Sequence, residues 1–385
     1  MVDHYRPTRA VIDLTAIEKN IKSFQKRIGN AEVMAVVKAD AYGHGALEVA
    51  QKAMETGVKI LAVATPDEAV YLRSQRIDSP ILVMGAVPGR FIPVAQREGI
   101  TLTAISLNWL SVAAEHIDMD LPALKIHLKI DTGMRRVGIQ VEELGLALEM
   151  IRRHPFSFDG LFTHFATADE QTGDLFEKQV SEITKVIEEI NDPSLMIHVS
   201  NSAAAIMHPG LSYNAVRIGI SMYGIAPSAH VKKEMPFELT PSLSLETEIV
   251  HIKKVKAGDT LSYGATYRCQ EDEWIATLPI GYADGLLRGL QGQDVLVQGQ
   301  RAPIVGRICM DQCMVRLPKK MPIGEKVQLI GRQQQEEISI DEWAVKLETI
   351  SYEIPCIITK RVPRIYVNTP ENADLSFQVS DSMIR

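Results

Sequence analysis

Short apolar runs alternate with longer amphipathic ones through the first two-thirds of the chain. The β-like runs are Val33–Val37, Ile60–Ala64, Ile81–Met84, Ile100–Ile105, Leu124–Ile130, Asp159–Thr163, Met196–Val199 and Ala215–Ile218. Between them lie stretches of helical spacing, among them Ala46–Glu55, Asp67–Arg73, Val141–Arg153 and Leu175–Ile190. Continuous apolar strands joined by helices predict a parallel sheet covered on both faces. Eight such units in roughly 200 to 250 residues match a closed β/α barrel. An open doubly wound sheet is the alternative.

After about Gly224 the pattern changes. The segment APSAHVKKEMPFELTPSLS carries three prolines and reads as linker and loop. Strand-like runs with turn signals follow at Leu243–His251, Trp274–Pro279, Asp294–Val297, Met314–Leu317, Val327–Ile330 and Arg364–Val367, with one helix-like stretch at Asp341–Thr349. The expected architecture is an eight-stranded β/α (TIM-like) barrel over residues 1–235 and a mostly β domain over 236–385. The tail ENADLSFQVSDSMIR has no clear periodicity.

Composition narrows the partners more than the fold. The chain has 385 residues, 46% apolar and 23% charged, an ordinary globular balance. Its net charge is −7, and no basic stripe interleaved with aromatics argues for nucleic acid. The N-terminus carries charges where a signal peptide needs an apolar core. No run approaches the ~18 apolar residues of a spanning helix. Four cysteines, Cys269, Cys309, Cys313 and Cys356, lack CxxC pairs and matching histidines, so neither a disulfide framework nor a zinc site is signalled. A reduced cytoplasm is the expected compartment, and no metal is expected.

Polar residues gather at or just after the strand ends. Lys38 follows the first run, and Lys129, Asp131 and Arg136 lie at or beyond the end of the fifth. His164 follows the sixth, Asn201 and Ser202 the seventh, and Arg217 and Gly219 end the eighth. In barrels that rim builds the active site. A lysine ending an apolar strand is most often a snorkelling terminal charge. A partly buried amine, however, has a lowered pKa and condenses with aldehydes. Gly43 and Gly45, around His44, let backbone approach a ligand closely. The string is neither a Walker loop nor a GxGxxG fingerprint. Asn201, Ser202 and the run from Arg217 to Gly224 flank the last two strands, where barrels commonly hold a phosphate. An ordinary helix cap by Asn201 or Ser202 is the plainer reading of those two side chains. A histidine such as His164 is ordinarily a satisfied core residue, but its place on the rim favours function. Tyr263, Tyr282 and Tyr352 fall in the β domain, where a lone tyrosine is usually a packing residue. The run from Cys309 to Met314 mixes apolar and polar residues as an exposed strand edge would.

Eight strings, in order, resemble the alanine racemase family: AVVKADAYGHG, DTGMRRVG, THFATADE, NSAA, RIGISMYG, SYGA, GYADG and GRICMDQ. With Tyr352 they run over nearly the whole chain. The resemblance implies a barrel followed by a β domain and pyridoxal 5′-phosphate as cofactor. It implies a small amino-acid substrate, L- or D-alanine, and D-alanine destined for peptidoglycan. It also implies a head-to-tail homodimer whose sites are completed by the partner. By the same resemblance Lys38 bears the cofactor and is the base on one substrate face, and Tyr263 of the partner is the base on the other. Tyr42, Ser202, Gly219, Ile220 and Tyr352 match a phosphate cradle, with Asn201 beside it. Arg217 matches the partner of the pyridine nitrogen, and His164 bridges toward the tyrosine. Arg136 and the Met310 backbone match the substrate-carboxylate site, flanked by Cys309 and Asp311. Tyr282, Tyr352 and Asp169 match the entrance gate. Lys129 matches a lysine carbamylated in some members. Two departures stand out: Arg135 adjoins Arg136 and competes for its role, and Val87 replaces a bulkier side chain found in some relatives.

Two bases on opposite faces of a planar cofactor invert an α-carbon without rotating the substrate, and a permanently charged arginine keeps the ring nitrogen unprotonated. The competing readings are a racemase for serine or another small amino acid, a decarboxylase, and a non-catalytic pyridoxal-phosphate carrier. The carrier has no need of the C-terminal third.

Overall fold

The computed structural model describes residues 4–171 and 173–368. Two compact units emerge. One comprises residues 16–41 and 45–240, and the other residues 1–15, 42–44 and 241–385. The run ENADLSFQVSDSMIR lies outside the described residues.

Strand β1 (Arg9–Asp13) belongs to the second unit, and the strands β2 to β9 build the first. These are β2 (Glu32–Val36), β3 (Ile60–Val63), β4 (Ile81–Val83), β5 (Thr101–Ala104), β6 (Leu124–Lys129), β7 (Phe156–Phe162), β8 (Met196–Ile197) and β9 (Ala215–Ile218). Every pairing among them is parallel, in the order β8-β7-β6-β5-β4-β3-β2-β9. The seam between β8 and β9 is stitched by the Asn214 N–H on the Ile197 carbonyl and the Arg217 N–H on the Ser200 carbonyl, both 3.0 Å. The result is a nearly closed eight-stranded barrel. Its strands are almost wholly buried, as two covered faces require. Helices Ala46–Glu55, Pro66–Ser74, Leu144–Arg153 and Asp174–Ile190 fall where the helical spacing predicts.

Three barrel elements depart from the sequence expectation. β7 begins at Phe156, three residues before the apolar run suggests, because its first half is only half-buried. Helix Leu14–Ile28 buries Ala16, Ile17, Ile21, Phe24 and Ile28 on one face. The segment read as linker carries a short helix, Ala229–Glu234, whose Ser228 cap accepts from the Val231 N–H.

The second unit holds a ten-stranded sheet among the described residues. β1 pairs in parallel with β20 (Arg364–Val367) and antiparallel with β10 (Leu243–Glu248). The expected run Leu243–His251 splits into β10 and β11 (His251–Val255), which lie far apart in the sheet order. A small hairpin, β12 (Thr260–Leu261) and β13 (Tyr267–Arg268), flanks Tyr263. The sheet continues through β14 (Glu273–Leu278), β15 (Asp294–Val297), β16 (Gln300–Val305), β17 (Cys313–Leu317) and β18 (Lys326–Gln333), with β19 (Glu336–Ile338) paired onto β18. β16 contains Pro303 and still pairs on both sides, because Pro303 sits only on its β15 side of the register. β17 lies between β14 and β16, so the Cys309–Met314 run leads into an interior strand rather than an edge. All four cysteines are free thiols. Among the described residues no helix is long and apolar enough to cross a membrane.

Candidate active site

The barrel brings its strand-end side chains onto one rim. Lys38 follows β2 and is half-buried. After it the backbone does something unusual: Ala39, Asp40, Ala41 and Tyr42 all stand at φ of 52–53°. Four non-glycine residues in the left-handed region cost about 1–2 kcal/mol each. The surroundings hold them there. The Ala39 N–H meets Glu68 Oε1 at 2.7 Å, Ala41 N–H meets the Val37 carbonyl at 2.9 Å, and Asp40 Oδ1 accepts from Ala46 N–H at 2.9 Å.

Arg217, at the end of β9, is buried among acceptors. Its Nη1 donates to both the Nδ1 (3.0 Å) and the carbonyl of His198. Its Nη2 donates to the carbonyls of Thr163 (2.8 Å) and Val199 (3.2 Å), with His164 Nδ1 at 3.4 Å. The guanidinium also lies 5.2 Å from the centre of the Phe162 ring. Burial pulls its pKa down, but a guanidinium stays charged at neutral pH. Its fifth donor, Nε–H, has no acceptor among the described residues.

His164 is held neutral. Burial, and then the charges of Arg217, Lys129, Arg136 and Lys38, keep it well below its ordinary value. Lys129, ending β6, is buried, and its pKa falls to about 8 through burial and the charges of Arg136 and Arg217. Arg135 is occupied, its Nη1 donating to Gln140 at 2.5 Å. Arg136 is exposed and makes no hydrogen bond or ion pair among the described residues. Asp131 caps its own loop by accepting from the Gly133 and Arg135 N–H groups.

The phosphate-like corner is built as short turns. Asn201 caps helix Ser202–Met207, accepting from Ala204 N–H at 3.0 Å and donating to the Phe165 carbonyl at 3.3 Å. So the plain capping reading holds for Asn201. Ser202 differs: its hydroxyl oxygen accepts from Gly219 N–H at 3.1 Å, which leaves its proton to point elsewhere. The 3-10 turn Ile220–Tyr223 starts immediately after Gly219, and the first N–H groups of such a turn have no partner within it. Val87 is buried, with the Trp109 indole donating to its carbonyl. Asp169 is tied through its carbonyl to the Ser228 hydroxyl.

The β-rich unit groups the remaining residues. Tyr42 is buried against Tyr352, ring centres 6.4 Å apart, and burial with Tyr352 and Cys356 raises its pKa, so its hydroxyl remains a donor. Tyr263 is 72% exposed and opens a short turn whose preceding residue, Ser262, donates to the Arg307 carbonyl at 2.6 Å. The Cys309 thiol lies 3.8 Å from that same hydroxyl. Tyr282 and Ala283 N–H donate to the carbonyls of Cys309 and Met310, both 3.0 Å. Gly281 permits this: a Cβ there would stand 2.3 Å from the Met310 oxygen. Asp311 pairs with Arg361 at 2.8 Å.

Two residues escaped the sequence reading. His127 on β6 and His198 just beyond β8 are buried, and His127 Nδ1 lies 2.8 Å from His198 Nε2. The only available signal was spacing: Lys125, His127 and Lys129 alternate along one strand face. Burial and then Arg217 push His127 down to about 4, and His198 also falls well below its ordinary value. Between about 6.5 and about 4 the unfolded chain takes up a proton that the folded chain refuses. Stability is therefore lost as pH falls through that window. For His127 that loss is on the order of 3 kcal/mol. Denaturant titrations from pH 7 to 4.5 should show this loss setting in below pH ~6.5; a flat profile would contradict the assignment of neutral buried histidines.

Known proteins match this arrangement along almost all of its length. The model of the alanine racemase N-terminal domain matches residues 12–227, and that of the C-terminal domain matches residues 242–366. The alanine racemase of Anoxybacillus flavithermus is 49% identical over 94% of this chain and 95% of its own. The crystal structure of alanine racemase from Bacillus anthracis with bound L-Ala-P superposes with a TM-score of 0.91 at 45% identity, covering 95% of this chain and 96% of that one. A histidine racemase from Leuconostoc mesenteroides shares the fold at TM-score 0.89 and 32% identity, covering 95% and 99%. With both domain models matched in order and close to half of all positions identical, the chain belongs to the alanine racemase family of isomerases.

Proposed function

We propose that this chain interconverts L- and D-alanine by a two-base mechanism with pyridoxal 5′-phosphate. The observation that carries the reading is the Arg217 Nε–H, a charged donor with no acceptor among the described residues, on a rim that also bears Lys38. An aromatic ring nitrogen is an acceptor of that kind. When bound, the cofactor supplies the electron sink that stabilises negative charge at the substrate α-carbon.

The chain's own residues do the rest. Lys38 holds the cofactor, and its Nζ takes the α-proton on one face. Tyr263 Oη of the partner subunit takes or returns it on the other. Ser202, with the Gly219 and Ile220 backbone, forms the phosphate corner, supported by the Ser202 hydroxyl proton and the Ile220 N–H, while the Gly219 N–H is spent on holding Ser202. Tyr42 and Tyr352 keep the phosphate role that the family motif gives them, and Asn201 holds the helix that carries Ser202. Arg217 stays charged and leaves the ring nitrogen unprotonated. His164, kept neutral beside it, links toward Tyr263. Arg136 is the carboxylate clamp, since Arg135 is occupied by Gln140, and the Met310 backbone completes it. Cys309 and Asp311 fix the Met310 loop. Tyr282, Tyr352 and Asp169 keep the entrance-gate role that the family motif gives them.

The test is direct. The protein saturated with pyridoxal phosphate and mixed with L-alanine should lose ellipticity until the two enantiomers are equal. No loss of ellipticity, or release of carbon dioxide, would refute the reading. The histidine racemase of this fold makes a panel of amino acids the right companion assay. Alanine should give the highest kcat/KM, and serine or histidine in first place would reassign the substrate.

A second expectation concerns Lys129. A buried amine whose pKa is about 8 is substantially unprotonated at mildly alkaline pH. It can add to carbon dioxide, forming a carbamate and releasing one proton, and the new anion faces the positive field of Arg136 and Arg217. Protein equilibrated with carbon-13 bicarbonate at pH ~8 should show a carbamate carbon signal that vanishes in Lys129→Ala. A signal that persists in the variant would place the carbamate elsewhere.

A further inference from the structure

Two histidines inside the barrel take no part in the chemistry above. His198 stacks on Phe162, ring centres 4.7 Å apart and 14° between planes, and it lies 3.0 Å from Arg217 Nη1 through Nδ1. Its other nitrogen meets His127 Nδ1 at 2.8 Å. Both rings are buried.

We propose that His198 and His127 form a one-way hydrogen-bond chain, accommodated by Gly160, that holds the Arg217 guanidinium in the orientation its Nε–H needs to meet the cofactor ring. This rests on the reading of Arg217 given above. The direction follows from donor and acceptor inventory. Arginine has donors only, so His198 Nδ1 must be bare and accept. The proton of His198 then sits on Nε2 and is donated to His127 Nδ1. His127 Nδ1 is bare in its turn, and its proton is on Nε2. Both rings are fixed in the same tautomer. Reversing either ring would face donor with donor or acceptor with acceptor. Protonating His198 would set a second positive donor against Arg217, the charged group that faces both rings.

Gly160 is what makes the chain fit. It is the register partner of His127 across β6 and β7. A Cβ at Gly160 would stand 2.7 Å from His127 Cε1 and 2.8 Å from both ring nitrogens. Real Cβ atoms do not approach that closely, so any side chain there displaces the imidazole. The ladder also shifts register between Ile126 and His127, passing over Asp159 and so setting Gly160 opposite the histidine. His127 and His198 are thus positioning residues: they act on the cofactor through Arg217.

The experiment has two arms, both on the full chain with cofactor bound. Nitrogen-15 histidine spectra should show His127 and His198 neutral and protonated on Nε2 from pH ~5.5 to 8. A proton on Nδ1 of either ring would overturn the chain. The second arm compares His127→Phe with His127→Gln. Phenylalanine fills the space but offers no acceptor, leaving the His198 N–H buried and unpaired. Glutamine restores an acceptor oxygen. His127→Phe should loosen pyridoxal phosphate about tenfold, read as the dissociation constant from its absorbance. His127→Gln should stay within about threefold of the parent. Gly160→Ala should follow the phenylalanine variant. Equal affinity in Phe, Gln and parent would refute the positioning role, and equal loss in both variants would reduce His127 to a packing residue. Neither outcome touches the reading of Arg217 itself. That reading fails separately if Arg217→Glu binds cofactor and racemises as the parent does.

Discussion

Lys38→Ala loses racemisation by on the order of 10⁴-fold or more, in both directions, because the proposed function gives one residue both the cofactor bond and one of the two bases. The structure places this lysine half-buried at the end of β2, on the rim shared with Arg217, His164 and Ser202. The purified variant should also lack the visible absorbance of the bound cofactor and take up no label from borohydride. Cofactor absorbance and borohydride labelling equal to the parent's would move the cofactor bond to another lysine. Lys129 is the first place to look, since its lowered pKa also makes it nucleophilic.

Co-expression of Lys38→Ala with Tyr263→Phe restores activity that neither variant has alone. Tyr263 is exposed on the β-rich unit, and the proposed function gives it to the partner's site. With random mixing, half the dimers are mixed, and a twofold dimer has two equivalent sites. In a mixed dimer one site receives an intact lysine from one chain and an intact tyrosine from the other, while the second site carries both lesions. About a quarter of all sites should therefore turn over. If both bases came from one chain, every site would carry a lesion. Mixed dimers isolated by dual tags, yet silent, would refute the shared site and leave the cofactor assignment intact.

The barrel was readable because parallel strands covered on both faces need unbroken apolar runs. Val33–Val37 and Ala215–Ile218 announce themselves in that way, and they pair as neighbours at the closing side of the barrel. β1 was not readable from pattern. RAVID is a short run next to a helix start, and its partners, β10 and β20, lie far along the chain. β16 was hidden by Pro303 and its polar first residues. The rim residues were visible by position at strand ends, but their roles came from the family strings. Which of two adjacent arginines is available depended on the Gln140 contact, a fact of geometry. His127 sat in LKIHLK between two lysines, where one more polar side chain says little. Its meaning lies in a contact with His198, 71 positions away, and in the missing side chain of Gly160.

The left-handed turn after Lys38 is, in stereochemical terms, a piece of mirror-image protein. A right-handed helical turn of L-residues and a left-handed one of D-residues are reflections of each other, so φ near +53° is where D-alanine rests without strain. Semisynthesis that places D-alanine at positions 39 and 41 should preserve the backbone and relieve a cost that the native side chains impose. The strain also says when the turn forms. An L-peptide does not adopt four such residues unaided, so this segment must wait for Glu68, Val37 and Ala46 to be in place around it. The lysine proposed to bear the cofactor is therefore expected to settle only once the Glu68 helix stands beside its turn.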